Sequence, residues 1–181
     1  NSLANNGTAS DAGNHVLKFH APGFKGTSLF PAGTYSENVV ISDSKFTPSN
    51  SSKNNWTIAI DPQDDTEDER MRNIIIERNL LFAGSVTNIG ISLQAVSVSI
   101  RNNIYNGTCG LSANFVTAAK RSSGAPAPTD ISVYNNTMYT SSNNLNTSDP
   151  FISIENGSAG AMTAKNNLGY APNASGPGLV T

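Results

Sequence analysis

Charge is scarce in this sequence. Asp, Glu, Lys and Arg make up 13% of its 181 residues, against about 25% in an average soluble domain. The net charge is −2. Cations so few and so scattered argue against a nucleic-acid surface, which needs clustered Lys and Arg. No apolar stretch approaches the roughly 20 residues that cross a bilayer, so no membrane span is expected. The single cysteine, Cys109, leaves no internal disulfide. Two histidines and one cysteine at unrelated spacings form no recognisable zinc site. No G-x-S-x-G elbow and no phosphate-binding glycine loop occurs. Capped segments with 3.6-residue periodicity are also missing, so few helices are expected.

What fills the chain is uncharged polarity: 24 Asn, 23 Ser and 15 Thr. These are turn residues, yet they separate clear apolar runs, which disordered chains lack. Many short strands joined by polar turns satisfy both facts. Eight N-x-S/T sequons occur, against about five by chance, an excess too small to imply glycosylation.

The apolar runs repeat. "NVVISDSKF", "NIIIERNLLF", "SVSIRNNIY", "DISVYNNTMY" and "AMTAKNNLGY" share one pattern. Three residues after Ile41, Ile76, Ile100, Val133 and Ala164 stand Ser44, Asn79, Asn103, Asn136 and Asn167. Between these segments lie shorter alternating ones: "NHVLKFHA", "NWTIAID", "NIGISLQ", "NFVTAAK" and "PFISIE". Their period of two is that of half-buried strands. The order is thus two strand types alternating over five rounds, with loops of unequal length inserted. The expected core takes Leu17, Phe19, Trp56, Ile58, Ile60, Ile89, Ile91, Leu93, Phe115, Ile152 and Ile154 from the short segments. From the long ones it takes Val39, Ile41, Ile74, Ile76, Val98, Ile100, Ile131 and Val133.

Five rounds of short strands ending in "NN-x-apolar" resemble the coils of a right-handed parallel β-helix of the pectate lyase-like superfamily. The resemblance runs from about Asn14 to Tyr170. It implies an all-β single-stranded solenoid of about five coils in which each coil stacks on the last. A turn residue repeated in every coil then lies over its counterparts. Asn tolerates the left-handed conformation of a tight bend, and its amide both donates and accepts. Asn79, Asn103, Asn136 and Asn167 are therefore expected to form an asparagine ladder, with Ser44 as a weaker first member. Residues 1–181 are read as one domain, with polar tails at 1–13 and 171–181, and as part of a longer β-helix. Unpaired strands at the ends of such a stack make self-association natural.

Outward residues of stacked strands form straight rows, which suit a long repetitive ligand. The short strands give one row of His20, Asp61, Gln94, Lys120 and Glu155. A second row is Lys18, Ala59, Ser92, Ala118 and Ser153. "IAIDPQDD" resembles the Asp-Pro-His-Asp motif of mannuronan C5-epimerases, which are also right-handed β-helices. Asp61, Pro62 and Asp64 match it, and Gln63 stands where the motif has histidine. Glutamine cannot transfer a proton near neutral pH, so His20 or Lys18 from the preceding coil would serve as base. "WTIAIDPQ" followed by "IIIERN" also resembles bacterial β-helix repeat proteins, which implies a fold and no activity.

Uronate lyases and epimerases remove a proton beside a carboxylate and need a cation to counter its charge. Arg78 and Arg101 follow the long strands at nearly equivalent positions and are candidates for that role. The alternative is that Arg78 pairs with Glu77 or with an acid of a neighbouring coil. The expected catalytic set is therefore His20, Lys18, Asp61, Arg78 and Arg101. The expected ligand contacts are Gln63, Asp64, Gln94, Lys120 and Glu155. The acidic run "DDTEDE" at 64–69 is a possible Ca²⁺ site, since calcium favours several carboxylate oxygens; no other cofactor is implied. Tyr105, Tyr134 and Tyr139 are expected near the surface. The functional expectation is an extracellular or cell-surface module that binds or modifies an acidic polysaccharide. The alternative is a non-catalytic structural or adhesive β-helix, such as a surface protein or phage tail spike segment.

Overall fold

The computed structural model describes residues 2–4, 15–19, 34–47, 56–62, 69–83, 90–107, 114–141, 150–155 and 162–173. Among these are sixteen strands and no helix. In chain order they are β1 (Ser2–Ala4), β2 (Leu17–Phe19), β3 (Tyr35–Ser42), β4 (Lys45–Thr47), β5 (Ile58–Ile60), β6 (Arg70–Glu77), β7 (Leu80–Phe82) and β8 (Ile91–Leu93). There follow β9 (Val96–Arg101), β10 (Ile104–Asn106), β11 (Val116–Ala118), β12 (Thr129–Tyr134), β13 (Thr137–Tyr139), β14 (Ile152–Ile154), β15 (Met162–Lys165) and β16 (Leu168–Tyr170).

Each strand pairs with the strand three places away in the chain, and every pairing is parallel. Three stacked sheets result. Sheet I holds β2, β5, β8, β11 and β14; sheet II holds β3, β6, β9, β12 and β15; sheet III holds β1, β4, β7, β10, β13 and β16. This all-β, all-parallel arrangement is compatible with a parallel β-helix. The third sheet is a departure from the two strand types read in the sequence. The residues after each polar break form strands of their own, three residues long, with one inward residue apiece: Phe46, Leu81, Tyr105, Met138 and Gly169. Ser2–Ala4, within the expected N-terminal tail, pairs with β4.

The core is a set of rows, one residue per level. Sheet I contributes Leu17, Ile58, Ile91, Val116 and Ile152 in register. Sheet II contributes Ile41, Ile76, Ile100 and Val133, and sheet III contributes Phe46, Leu81, Tyr105 and Met138. Nearly all of these are fully buried. Tyr105, expected near the surface, is buried with its ring 5.2 Å from that of Phe115. A Cβ on Gly107 would lie 2.7 Å from the Tyr105 ring, so glycine there makes room for it. Ile89 and Asn14 lie outside the described residues.

Two details correct the expected rows. In sheet I the partner of Ser92 and Ser153 is Thr117, and Ala118 belongs to the inward row with Leu93. One residue beyond the strands, Asp61, Gln94 and Glu155 are matched by Ala119, with Lys120 a residue further on. Phe115 sets the wrong phase: it is buried at the corner before β11, not within the strand.

The paired asparagines divide their labour. The first residue of each break takes the left-handed conformation: Asp43, Arg78, Asn102, Asn135 and Asn166 all have φ between 52° and 56°. The second residue supplies the amide. Asn103 Oδ1 accepts from the backbone N–H of Asn79 at 3.0 Å and from its Nδ2 at 3.1 Å. Asn103 Nδ2 in turn donates to Ile76 O at 2.9 Å and to Asn136 Oδ1 at 3.0 Å. The same pattern links Asn136 to Asn167, and Asn79 Oδ1 accepts from Ser44 N. The positive φ thus falls one residue before the asparagines to which it was expected to belong. Asparagine suits the first place because it tolerates that conformation, and the second because its amide can donate and accept at once.

Asn103 is 1% exposed, so removing its amide strands buried partners on both sides. Asn103→Ala should cost about 2 kcal/mol or more, read as a lowered urea midpoint. Asn102→Gly, one residue away, should leave stability nearly unchanged because glycine favours positive φ. Equal losses at the two positions would contradict this division.

Candidate functional site

The outward face of sheet I is almost as buried as its inward face. Ala59, Ser92 and Thr117 are all at most 1% exposed. At the strand ends a charged cluster has formed around Asp61, itself 1% exposed. Lys18 Nζ donates to Asp61 Oδ1 at 2.9 Å, and Ser92 Oγ donates to Oδ2 at 3.1 Å. Arg121 Nε lies 3.7 Å from Oδ2 and donates to Ser92 Oγ at 3.2 Å. Arg121 Nη2 reaches Glu155 Oε1 at 3.5 Å. Parallel pairing explains the convergence: Lys18, Ala59 and Ser92 occupy one row, and alanine in the middle opens space for the side chains from either side.

Trp56 belongs to this cluster and not to the inward core expected of it. The Arg121 guanidinium carbon stands 4.6 Å from its ring centre, Lys18 Nζ stands at 5.9 Å, and His15 stacks on it at 5.0 Å. These are cation–π distances. The ring is held among cations on the outward side.

Gln94 fixes the loop that carries Arg121. Its Oε1 accepts from Arg121 N at 2.7 Å and Ser122 N at 2.8 Å, and its Nε2 donates to Ser122 O and Pro126 O, both at 3.0 Å. Both ends of the amide are thus engaged, and Gln94 acts as a positioning residue. Lys120 and Glu155 are exposed at the edge. His20, Gln63 and Asp64 lie outside the described residues, as does most of the acidic run, residues 64–68. Among the described residues no three His, Cys, Asp or Glu side chains converge to hold a metal ion.

Arg78 and Arg101 lie elsewhere, at the far end of sheet II. The eight residues of β6 intervene between Asp61 and Arg78, a span of up to about 26 Å. Arg78 grips Asp43 through two bonds, 2.8 and 2.7 Å, and also donates to Glu77 Oε1. Arg101 Nε donates to Glu77 Oε2 at 2.6 Å, and its Nη1 donates to the Tyr134 hydroxyl at 3.0 Å. Both expected partners of Arg78, Glu77 and a neighbouring acid, are therefore present.

Hydrogen bonds from Arg78 hold the Asp43 carboxyl below its usual range, and those from Arg101 do the same for Glu77. The Tyr134 phenol is lowered by Ser99 and then by Arg101.

The four expected catalytic residues that lie among the described ones divide between two places. Lys18 and Asp61 meet, Arg78 and Arg101 share Glu77, and the two pairs stand apart. Arg121 and Trp56 were not anticipated. The signal for Arg121 lay in the register: once Ala119 takes the place beside Gln94, Arg121 has the same strand phase.

Depressed carboxyl pKa values stabilise the folded state above the usual carboxylate range, and that contribution is lost as pH falls through the depressed values. Arg78→Met should therefore be less stable than wild type at pH 7, with the gap closing below about pH 4. Denaturant unfolding at both pH values measures this. A gap that widens in acid would contradict it.

Comparison with protein-family models, with curated proteins and with solved structures returns no match to this chain.

Proposed function

We propose that the chain is a right-handed parallel β-helix of about five coils, with Asn79, Asn103, Asn136 and Asn167 as its asparagine ladder. In this reading it is an extracellular or cell-surface module that binds an acidic polysaccharide. One observation carries the functional part: Lys18 and Arg121 converge on buried Asp61 beside Trp56, on the outward face of sheet I. Two cations flank the buried Asp61 carboxylate, each with a side chain 26% exposed, and the exposed Glu155 meets Arg121 only at a loose 3.5 Å. In this reading a uronate carboxylate takes the place of Glu155 on the Arg121 guanidinium, whose planar geometry suits it. Trp56 adds an apolar wall beside it.

Binding is better supported than chemistry. Lys18 is a donor to Asp61 and not a free base, and the Arg78 and Arg101 guanidinium groups are committed to acids of their own. Under the catalytic version, uronate elimination or C5 epimerisation, His20 is the base to test. A second reading, a structural or adhesive β-helix without a ligand, is favoured by the open apolar side chains of sheet III: Ile104 is 54%, Leu168 64% and Tyr170 60% exposed.

Calorimetric titration with alginate and polygalacturonate hexamers decides between these readings. Wild type should bind at least one of them, more weakly as salt rises. Arg121→Ala should weaken binding roughly 10- to 100-fold, the loss of a charge-assisted hydrogen bond of about 1.5–3 kcal/mol. No binding to either polymer would favour the structural reading. New absorbance from unsaturated uronate ends would establish a lyase.

A further inference from the structure

Sheet II carries a separate feature that the acidic-polymer reading does not use. Its long strands bend at residues in the left-handed conformation: Asn38 (φ 62°), Asn73 (55°), Ser97 (55°) and Asp130 (55°). These four positions are skipped by the pairing on either side: Glu37 with Arg72 and Val39 with Ile74, then Arg72 with Val96 and Ile74 with Val98, then Val96 with Thr129 and Val98 with Ile131. The bends therefore stack, and together they crease the outward face of the sheet. The crease is a groove of about 480 Å³ that crosses β3, β6, β9 and β12. Its floor is the outward row Val40, Ile75, Ser99 and Ser132. The bend residues line it as well, as does Tyr134.

We propose that this groove binds an uncharged, hydroxyl-rich glycan chain lying along the stack. Direction is the first reason. The groove runs from level to level, so its lining advances at the strand spacing of about 4.8 Å, close to the advance per unit of an extended β-linked hexose chain. Lining chemistry is the second. Val40, 59% exposed, and Ile75 offer an apolar strip to the C–H face of a sugar ring. Ser99, Ser132, Asn73 and Tyr134 offer hydroxyl and amide partners to its hydroxyls, the mix of apolar wall and few polar groups usual in ligand sites. Charge is the third. The lining includes the Asp130 carboxylate, held by Ser97 Oγ at 2.8 Å, and no cation. Nothing in that lining favours a polyanion, whereas two partly exposed cations stand beside Asp61. An extended peptide would need open strand edges, whereas this face presents side chains of strands already paired on both sides.

The test is calorimetric titration of the full chain with uncharged hexamers of β-1,4-glucose, β-1,4-mannose and α-1,4-glucose. Saturable binding of at least one, insensitive to salt, is expected. Ser132→Trp fills the groove from an outward, half-buried position and should weaken that binding by about tenfold or more with an unchanged circular dichroism spectrum. Absence of binding to all three hexamers, or binding indifferent to Ser132→Trp, would overturn the proposal. Should the variant not fold, amide shifts in the wild type decide. Shifts at Ser99, Ser132 and Tyr134 support the groove, and shifts confined to sheets I or III refute it. A uronate hexamer titrated alongside reports on the sheet I cluster alone, so the two sites can fail separately.

Discussion

The amide of a buried asparagine can satisfy four hydrogen bonds, and the stacking of this chain turns on that fact. Three-residue strands such as β7, β10 and β13 are too short to fix their own alignment. Each is preceded by an asparagine whose Oδ1 accepts from the level before and whose Nδ2 donates to the level after. The amides lie among side chains that exclude water, where an unmatched donor or acceptor is costly. A slip of one residue at any level would break bonds at two others. Register in all three sheets is thus pinned at one corner, and the inward rows follow from it.

That register also builds both surface features. On sheet I it brings Lys18, Asp61 and Ser92 from three successive levels to one place, though they are 43 and 31 residues apart in sequence. On sheet II it aligns the left-handed bends, so that four local kinks add up to one groove. Neither feature needs long-range sequence coincidence beyond the repeat itself. Of the ion pairs joining Asp43, Arg78, Glu77 and Arg101, the Asp43–Arg78 pair is exposed, while Glu77 is buried between the two arginines. These pairs run beside the asparagines and tie neighbouring levels, and solvent weakens the Asp43–Arg78 pair most.

Much of the scaffold was legible because burial imposes a period of two on strands long enough to display it. Ile74, Ile76, Val98, Ile100, Ile131 and Val133 all face inward as that period requires. The third sheet was not legible: "LLF" or "TMY" is a single period, indistinguishable from the end of a turn. The site was read less well for a different reason. Trp56 looks like core by hydrophobicity, yet its ring serves equally as a partner for cations, and only the fold decides between them. Arg121 sits in the Gly- and Pro-containing stretch 121–128, where no periodicity tells direction. Gln94 stands one residue beyond its strand beside Asp61 and Glu155, but it is buried and its amide turns towards that loop.

The dependence of the stack on buried amides is tested most directly by hydrogen exchange of asparagine side chains, followed by NMR on the native protein. The Nδ2 hydrogens of Asn79, Asn103 and Asn136 should exchange far more slowly than those of exposed Asn102 and Asn135, and as slowly as the core backbone amides of β6 and β9. Rapid exchange at Asn103, with β6 and β9 still protected, would show that the levels are held in register by something other than these amides.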